Sequence, residues 1–210
     1  SKMEKCGRLI YWKAKTLRSL GRDNDALDIL EGKQLDNVLA AERIYLKSLI
    51  LYDFKKYEES MENLLNFKNV YPGHKKNFEV DYQLALNYLA LKRVEDAELI
   101  FQNLMTLKSQ KISNQAKIIF ASILLDFRKD KIESKKLLDE VYNSETAQIS
   151  HKFISLKILV NLFIEENDLS SAILYLENSI RWLPSNNRFE IKKKLIELCS
   201  EMKMYNDALK

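Results

Sequence analysis

A small residue that recurs at a fixed interval constrains this chain more than any other feature. Ala26, Ser60, Ala97, Ser134, Ala172 and Ala208 stand 34, 37, 37, 38 and 36 residues apart, each a few residues after a polar segment and each opening an apolar-periodic run. A period this steady is the mark of stacked structural repeats. The surroundings repeat as well. Four residues on stands a large apolar residue: Leu30, Leu64, Phe101, Leu138 and Leu176. Twelve residues back stands a residue that is usually small, namely Ala14, Ser48, Ala85 and Ser122, with Val160 and Ile196 as exceptions. Nine back come Leu17, Leu51, Tyr88, Leu125, Phe163 and Cys199. Spacings of three and four within each half are helical, so each unit is predicted to be two amphipathic helices. The small residues let the helices of a pair approach closely, and the large ones fill the groove to the next pair.

Composition agrees with helices on short connections. The 210 residues include only 4 Gly and 2 Pro, whereas hairpin-rich folds need such residues at their turns. A hydrophobic share of 46% is enough to build a substantial core. The pattern predicts helices near 4–20, 24–31, 40–53, 57–70, 77–91, 94–108, 113–128, 132–142, 150–166, 169–182, 187–201 and from 204 onward. Gly21 and Gly32 punctuate the first unit, while Pro72-Gly73 and Pro184 end later ones.

Charge and motifs exclude several functions. The 34 basic and 30 acidic residues give a net charge of +4 and are interspersed, which is a soluble surface and not a nucleic-acid stripe. The longest basic run, Lys192-Lys193-Lys194, is read as a solvated helix face. No stretch reaches the roughly eighteen consecutive apolar residues of a membrane span, and Ser1-Lys2-Met3 with the charges after it lacks the form of a signal peptide. The expectation is a soluble chain, of the cytoplasm or of the periplasm and cell envelope. Cys6 and Cys199, near opposite ends of a stacked array, are too far apart to bridge; Met3-Glu4-Lys5 does not prepare Cys6 for lipidation.

No catalytic, cofactor or metal residue is predicted, and the chain is not read as an enzyme. His74 and His151 are the only histidines and belong to no spaced ligand set. With so few glycines there is no phosphate-cradling loop. Cys199, without a nearby base, is read as a core residue. Glu165, Glu166 and Asp168 lie at a helix end beside a turn, where solvation and capping account for them.

Several segments resemble the tetratricopeptide repeat family. Lys55-Lys56-Tyr57-Glu58-Glu59-Ser60 is similar to the family's turn between its two helices, with Pro72 at its closing proline. Asn167-Asp168-Leu169 before Ala172, closed by Pro184, repeats the pattern, and Tyr82 to Leu104 carries Leu84, Ala85, Tyr88, Ala97 and Phe101 in register. Lys13 and Lys47 replace the family's usual Leu, its signature Trp is missing from its register, and the loops run a few residues long. The resemblance implies an all-α, right-handed superhelical solenoid of antiparallel helix pairs, about five and a half repeats in one domain spanning 1–210. It implies a non-catalytic scaffold or adaptor that binds a protein segment in its concave groove. The alternatives are a cell-envelope assembly module of the outer-membrane biogenesis type and an accessory domain of a larger enzyme.

In that family the first helix of each pair lines the groove. Transferring its positions gives Tyr11, Tyr45, Tyr82, Ile119 and Lys157 in one row and Lys15, Leu49, Leu86, Ile123 and Asn161 in the next. Tyr11, Tyr45, Leu49, Tyr52, Tyr82 and Leu86 are therefore expected to form an apolar, aromatic protein-binding strip. A carboxylate clamp of the chaperone type is not expected, since only Lys157 and Asn161 match and Lys194 stands where a second Asn belongs. At the far end, Tyr205 to Lys210 is read as the start of another helix that stops after about one turn. That leaves part of the face of Ile191, Leu195, Leu198 and Met202 uncovered, to be capped by further residues, by a partner or by self-association.

Overall fold

Antiparallel helix pairs, as the repeat predicts, make up the chain in a computed structural model that describes residues 2–31 and 39–208, with side chains at 7–31 and 39–203. Gly32, the Cys6 side chain and the last two residues lie outside the described residues. The helices are α1 (Lys2–Ser19), α2 (Asp23–Leu30), α3 (Ala40–Asp53), α4 (Tyr57–Val70), α5 (Asn77–Ala90) and α6 (Val94–Met105). After them come α7 (Gln110–Ile123), α8 (Lys131–Asn143), α9 (Ile149–Glu165), α10 (Leu169–Ser179) and α11 (Ser185–Ala208). Among the described residues there is no strand. The fold is an all-α helical repeat of the tetratricopeptide type.

The chain divides into two compact units, residues 1–100 and 101–210. In the first, each helix from α1 to α5 packs on the next, and α1 also meets α3 and α3 meets α5. In the second, α7 to α11 pack in succession and α7 also meets α9.

The small residues lie at the pair contacts. Ala14, Ala26, Ser48, Ser60, Ala85, Ala97, Ser134 and Ala172 are all fully buried. Where the residue is serine, its hydroxyl must find an acceptor, because a buried unpaired polar group is costly. Ser60 Oγ donates to the Ser48 carbonyl at 2.8 Å, across the pair.

Five turns between the helices of a pair share one backbone conformation. Gly21, Lys55, Lys92, Lys129 and Asn167 take the left-handed region with φ of 72°, 61°, 59°, 57° and 60°, each five residues before the small residue. Arg22, Lys56, Arg93 and Asp168 then donate their backbone N–H to the carbonyls of Leu17, Leu51, Tyr88 and Phe163 at 2.8–2.9 Å. This reach of five residues back past a left-handed residue closes a helix by satisfying an orphan carbonyl.

One turn departs from the pattern and corrects the register read from the sequence. A π-helical turn, Leu124–Arg128, continues α7, and Asp130 N–H reaches six residues back to Leu124 at 3.0 Å. Ser134 Oγ accordingly donates to Ala121 at 3.0 Å, thirteen residues back. Ala121 and Leu124, rather than Ser122 and Leu125, hold the repeat positions, and Ile123, expected in the lining, is core at 2% exposure. The π turn absorbs one extra residue.

Two further expectations change at the end of the chain. α11 is one helix from Ser185 to Ala208, with no break before 204, and buries Ile191 and Leu198. Among its described side chains, Phe189 and Ile196 are large, apolar and exposed. Cys199 is exposed, not core, because it lies on the solvent side of α11. In the second unit three rings that the repeat does not mark come together with one that it does: Tyr142 lies 5.0 Å from Tyr175 and 5.8 Å from Trp182, and the repeat residue Phe163 lies 5.2 Å from Tyr175.

Replacing Lys55, Lys92 or Lys129 by Gly is expected to stabilise the protein by about 0.5–1 kcal/mol per site in urea denaturation, since a β-carbon penalises the left-handed region. A loss of stability at all three would show that the lysine stems contribute more than the backbone costs. A second expectation concerns pH. His151, 5% exposed, has Nδ1 without a hydrogen-bond partner among the described residues, and burial, then Lys111, pushes its pKa down. The unfolded chain therefore binds the proton more readily. This histidine's contribution is complete above the ordinary value of 6.5 and declines as pH falls below it. Thermal unfolding followed from neutral to mildly acid pH should lose part of its pH dependence in His151→Gln, and an unchanged slope would refute the assignment.

Candidate protein-binding face

In the first unit the odd-numbered helices approach one another, whereas among the described residues α2 and α4 do not come within 8 Å at Cα. The predicted strip lies on the odd helices. Helical spacing puts Tyr45, Leu49 and Tyr52 on one face of α3 and Tyr82 and Leu86 on one face of α5. All six predicted residues are half-buried, so they are neither sealed in the core nor free of it.

Three of the tyrosines come together. Burial, followed by the carboxylate of Glu79, pushes the Tyr45 hydroxyl up to about 12; Arg18 opposes the shift, and Tyr82 adds to it. Burial and then Tyr52 raise Tyr82, while burial, Tyr57 and Asp53 raise Tyr52, whose ring meets Tyr57 edge-on at 5.3 Å. These hydroxyls stay protonated at neutral pH, available as donors and acceptors beside apolar rings. Tyr45 also packs against the cluster of Leu64, Phe67 and Val80, which fixes its ring. Flanking charges are neutralised, Arg18 by Asp53 at 2.7 Å and Lys68 by Asp81.

Tyr11 belongs to a different neighbourhood. It packs on the core around Ala14 and Leu46, meets the Trp12 ring at 5.4 Å, and has its hydroxyl raised by burial and then by Glu42. With Arg8, Trp12, Glu42, Lys75 and Lys76 it lines an open cleft of about 410 Å³. The repeat analysis missed this cleft because Trp12 and the lysines fall outside the family's lining positions. The signal available was an aromatic doublet, Tyr11-Trp12, and the basic pair after Pro72-Gly73.

The lining expected in the second unit is more polar. Ile119 is half-buried, and Asn161 is exposed. Lys157 donates to Glu190 at 3.1 Å, and Lys194 lies 3.5 Å from Glu197. A cavity of about 240 Å³ lies between these groups and the side chains of Leu156, Val160, Leu176 and Ile191. Among the described residues no group of three or more His, Cys, Asp or Glu is placed to hold a metal ion, and no helix is long and apolar enough to cross a membrane.

No protein-family model matches the chain, and no curated protein matches it. Solved structures do. MamA of Desulfovibrio magneticus, from residue 41 to its end, is 14% identical with a TM-score of 0.62, over 86% of this chain and 95% of that one. The TPR domain of P58(IPK) is 16% identical with a TM-score of 0.44, over 95% of this chain and 56% of that one. The likeness to MamA is one of fold.

Core and face residues of the strip should separate on mutation. Tyr45→Ala is expected to cost about 1–3 kcal/mol of folding stability, because a ring packed on the core leaves a cavity, and Leu86→Ala less than about 1 kcal/mol. Urea denaturation measures both; equal losses would place Leu86 in the core.

Proposed function

We propose that this chain is a non-catalytic protein-interaction scaffold and that a partner's extended or amphipathic segment lies across α1, α3 and α5. The observation that carries this is the gathering of Tyr45, Tyr52 and Tyr82, half-buried and beside Leu49 and Leu86, on helices that meet one another, α3 and α5. Tyrosine suits this task. It offers a large, rigid contact area with a polar tip, and held rings lose little entropy on binding. Concave helical-repeat surfaces bind such segments through side-chain pockets rather than through reacting groups.

The test uses a partner captured by the full chain and then purified. Tyr52→Ala with Tyr82→Ala should weaken its binding by about 2–4 kcal/mol if both are anchors. Leu65→Ala with Leu99→Ala, exposed on α4 and α6, should leave it unchanged. Full affinity in a stably folded tyrosine variant would move the site away from this face.

A further inference from the structure

The cations of the first unit are not uniformly neutralised. Arg18, Arg22, Lys47, Lys56, Lys68 and Arg93 each pair with a carboxylate. Arg8, Lys13, Lys15, Lys55, Lys75, Lys76 and Lys92 have no carboxylate partner among the described residues. Of these, Arg8, Lys15, Lys75 and Lys76 are gathered at one place. Arg8, Lys75 and Lys76 line the cleft with Tyr11 and Trp12, and Lys15 Nζ stands over the Trp12 ring at 4.8 Å. Lys76 Nζ stands over the Tyr45 ring at 5.2 Å, which joins the cleft to the tyrosine face. Among the described residues that line the cleft, Glu42 is the one carboxylate, and it lies 3.5 Å from His74 Nε2.

Building on the proposed binding face, we infer that its partner segment carries Asp or Glu side chains next to an aromatic or long aliphatic residue, and that these dock in this cleft. Arg8, Lys75 and Lys76 in the lining, with Lys15 on the Trp12 ring, outnumber the Glu42 carboxylate and leave a net positive potential that an anion relieves. The Trp12 and Tyr45 rings hold the Lys15 and Lys76 ammonium groups by cation–π attraction, which uses none of the lone pairs a carboxylate would offer to their N–H donors. Arg8 adds a planar fork suited to a carboxylate. Trp12, 56% exposed, gives the neighbouring apolar side chain a surface to cover. The charge pattern beyond the cleft sets the class of anion. Asp53 and Glu79 act on the strip hydroxyls. A continuous phosphate backbone would meet those carboxylates as it ran on along α3 and α5, whereas a peptide can confine its acids to one end.

The experiment measures binding of the full chain to three short labelled peptides by fluorescence anisotropy: one with Glu and Asp around Phe, its Gln and Asn isostere, and its Lys counterpart. A single-stranded RNA oligonucleotide is a fourth probe. The acidic peptide should bind at least about tenfold more tightly than the isostere, and its affinity should fall as salt screens the cleft. Lys75→Glu with Lys76→Glu should remove that preference while thermal unfolding stays unchanged. Tyr52→Ala with Tyr82→Ala should weaken the acidic peptide and its isostere alike. Equal binding of these two peptides that is lost in the tyrosine variant would overturn the acidic preference and leave the face standing. Acid-dependent binding insensitive to the tyrosines would overturn the face instead. Stronger binding of RNA than of the acidic peptide, or binding of none of the probes, would overturn the inference.

Discussion

The contact between two side chains too small to hold their helices apart is the constraint on which the rest of this fold depends. With Ala or Ser on both sides, as at Ala14 with Ala26 and Ser48 with Ser60, the backbones come close enough for a serine hydroxyl on one helix to reach a carbonyl on the other. Close approach inside a pair frees room on either side of it. There the large residues four positions on, Leu30, Leu64, Leu138 and Leu176, are buried. A leucine at Ala97 or Ala172 would widen one pair and misalign the grooves on both of its flanks, so the period of small residues is a packing rule before it is a sequence signature.

Charge follows the same geometry. Arg18 on α1 holds Asp53 on α3, Lys47 on α3 holds Glu31 after α2, and Lys117 on α7 holds Glu140 on α8. Exposed pairs like these contribute little stability each, about 0–1 kcal/mol. Their larger effect is to quiet the field around the helices, and it is against this background that an unneutralised group of cations stands out.

Most of the fold was legible because a repeat reports the same fact several times. Five of the six small residues, Ala26 to Ala172, identify helix pairs even where a single helix would be ambiguous, while Ala208 falls inside α11; helices 40–53 and 57–70 agree with α3 and α4 at both ends. What stayed hidden has local causes. The extra residue at Leu124–Arg128 leaves the spacing between Ala97 and Ser134 unchanged, so only hydrogen bonds reveal that Ser122 and Ile123 are one position out of register. Cys199 occupies a core position of the period, but α11 runs on without the turn that would fold a partner helix over it. At the candidate face, helical spacing placed the tyrosines on the odd helices, whereas the grouping of Tyr45 with Tyr82 and the separation of Tyr11 depend on tertiary packing. The Trp12 cleft joins α1 to the segment before α5, residues more than sixty positions apart, which no local pattern connects.

The left-handed turns differ in cost along the chain. Gly21 and Asn167, the residue types that adopt this conformation most readily, occupy the first and last of the five, and lysines occupy the three between. In the first unit Lys55 and Lys92, and in the second Lys129, hold a strained backbone that local opening of the turn would release. Gly21 and Asn167 mark the turns whose backbone gains least by opening, so the turns of one repeat pattern differ in how readily each lets its helix pair come apart.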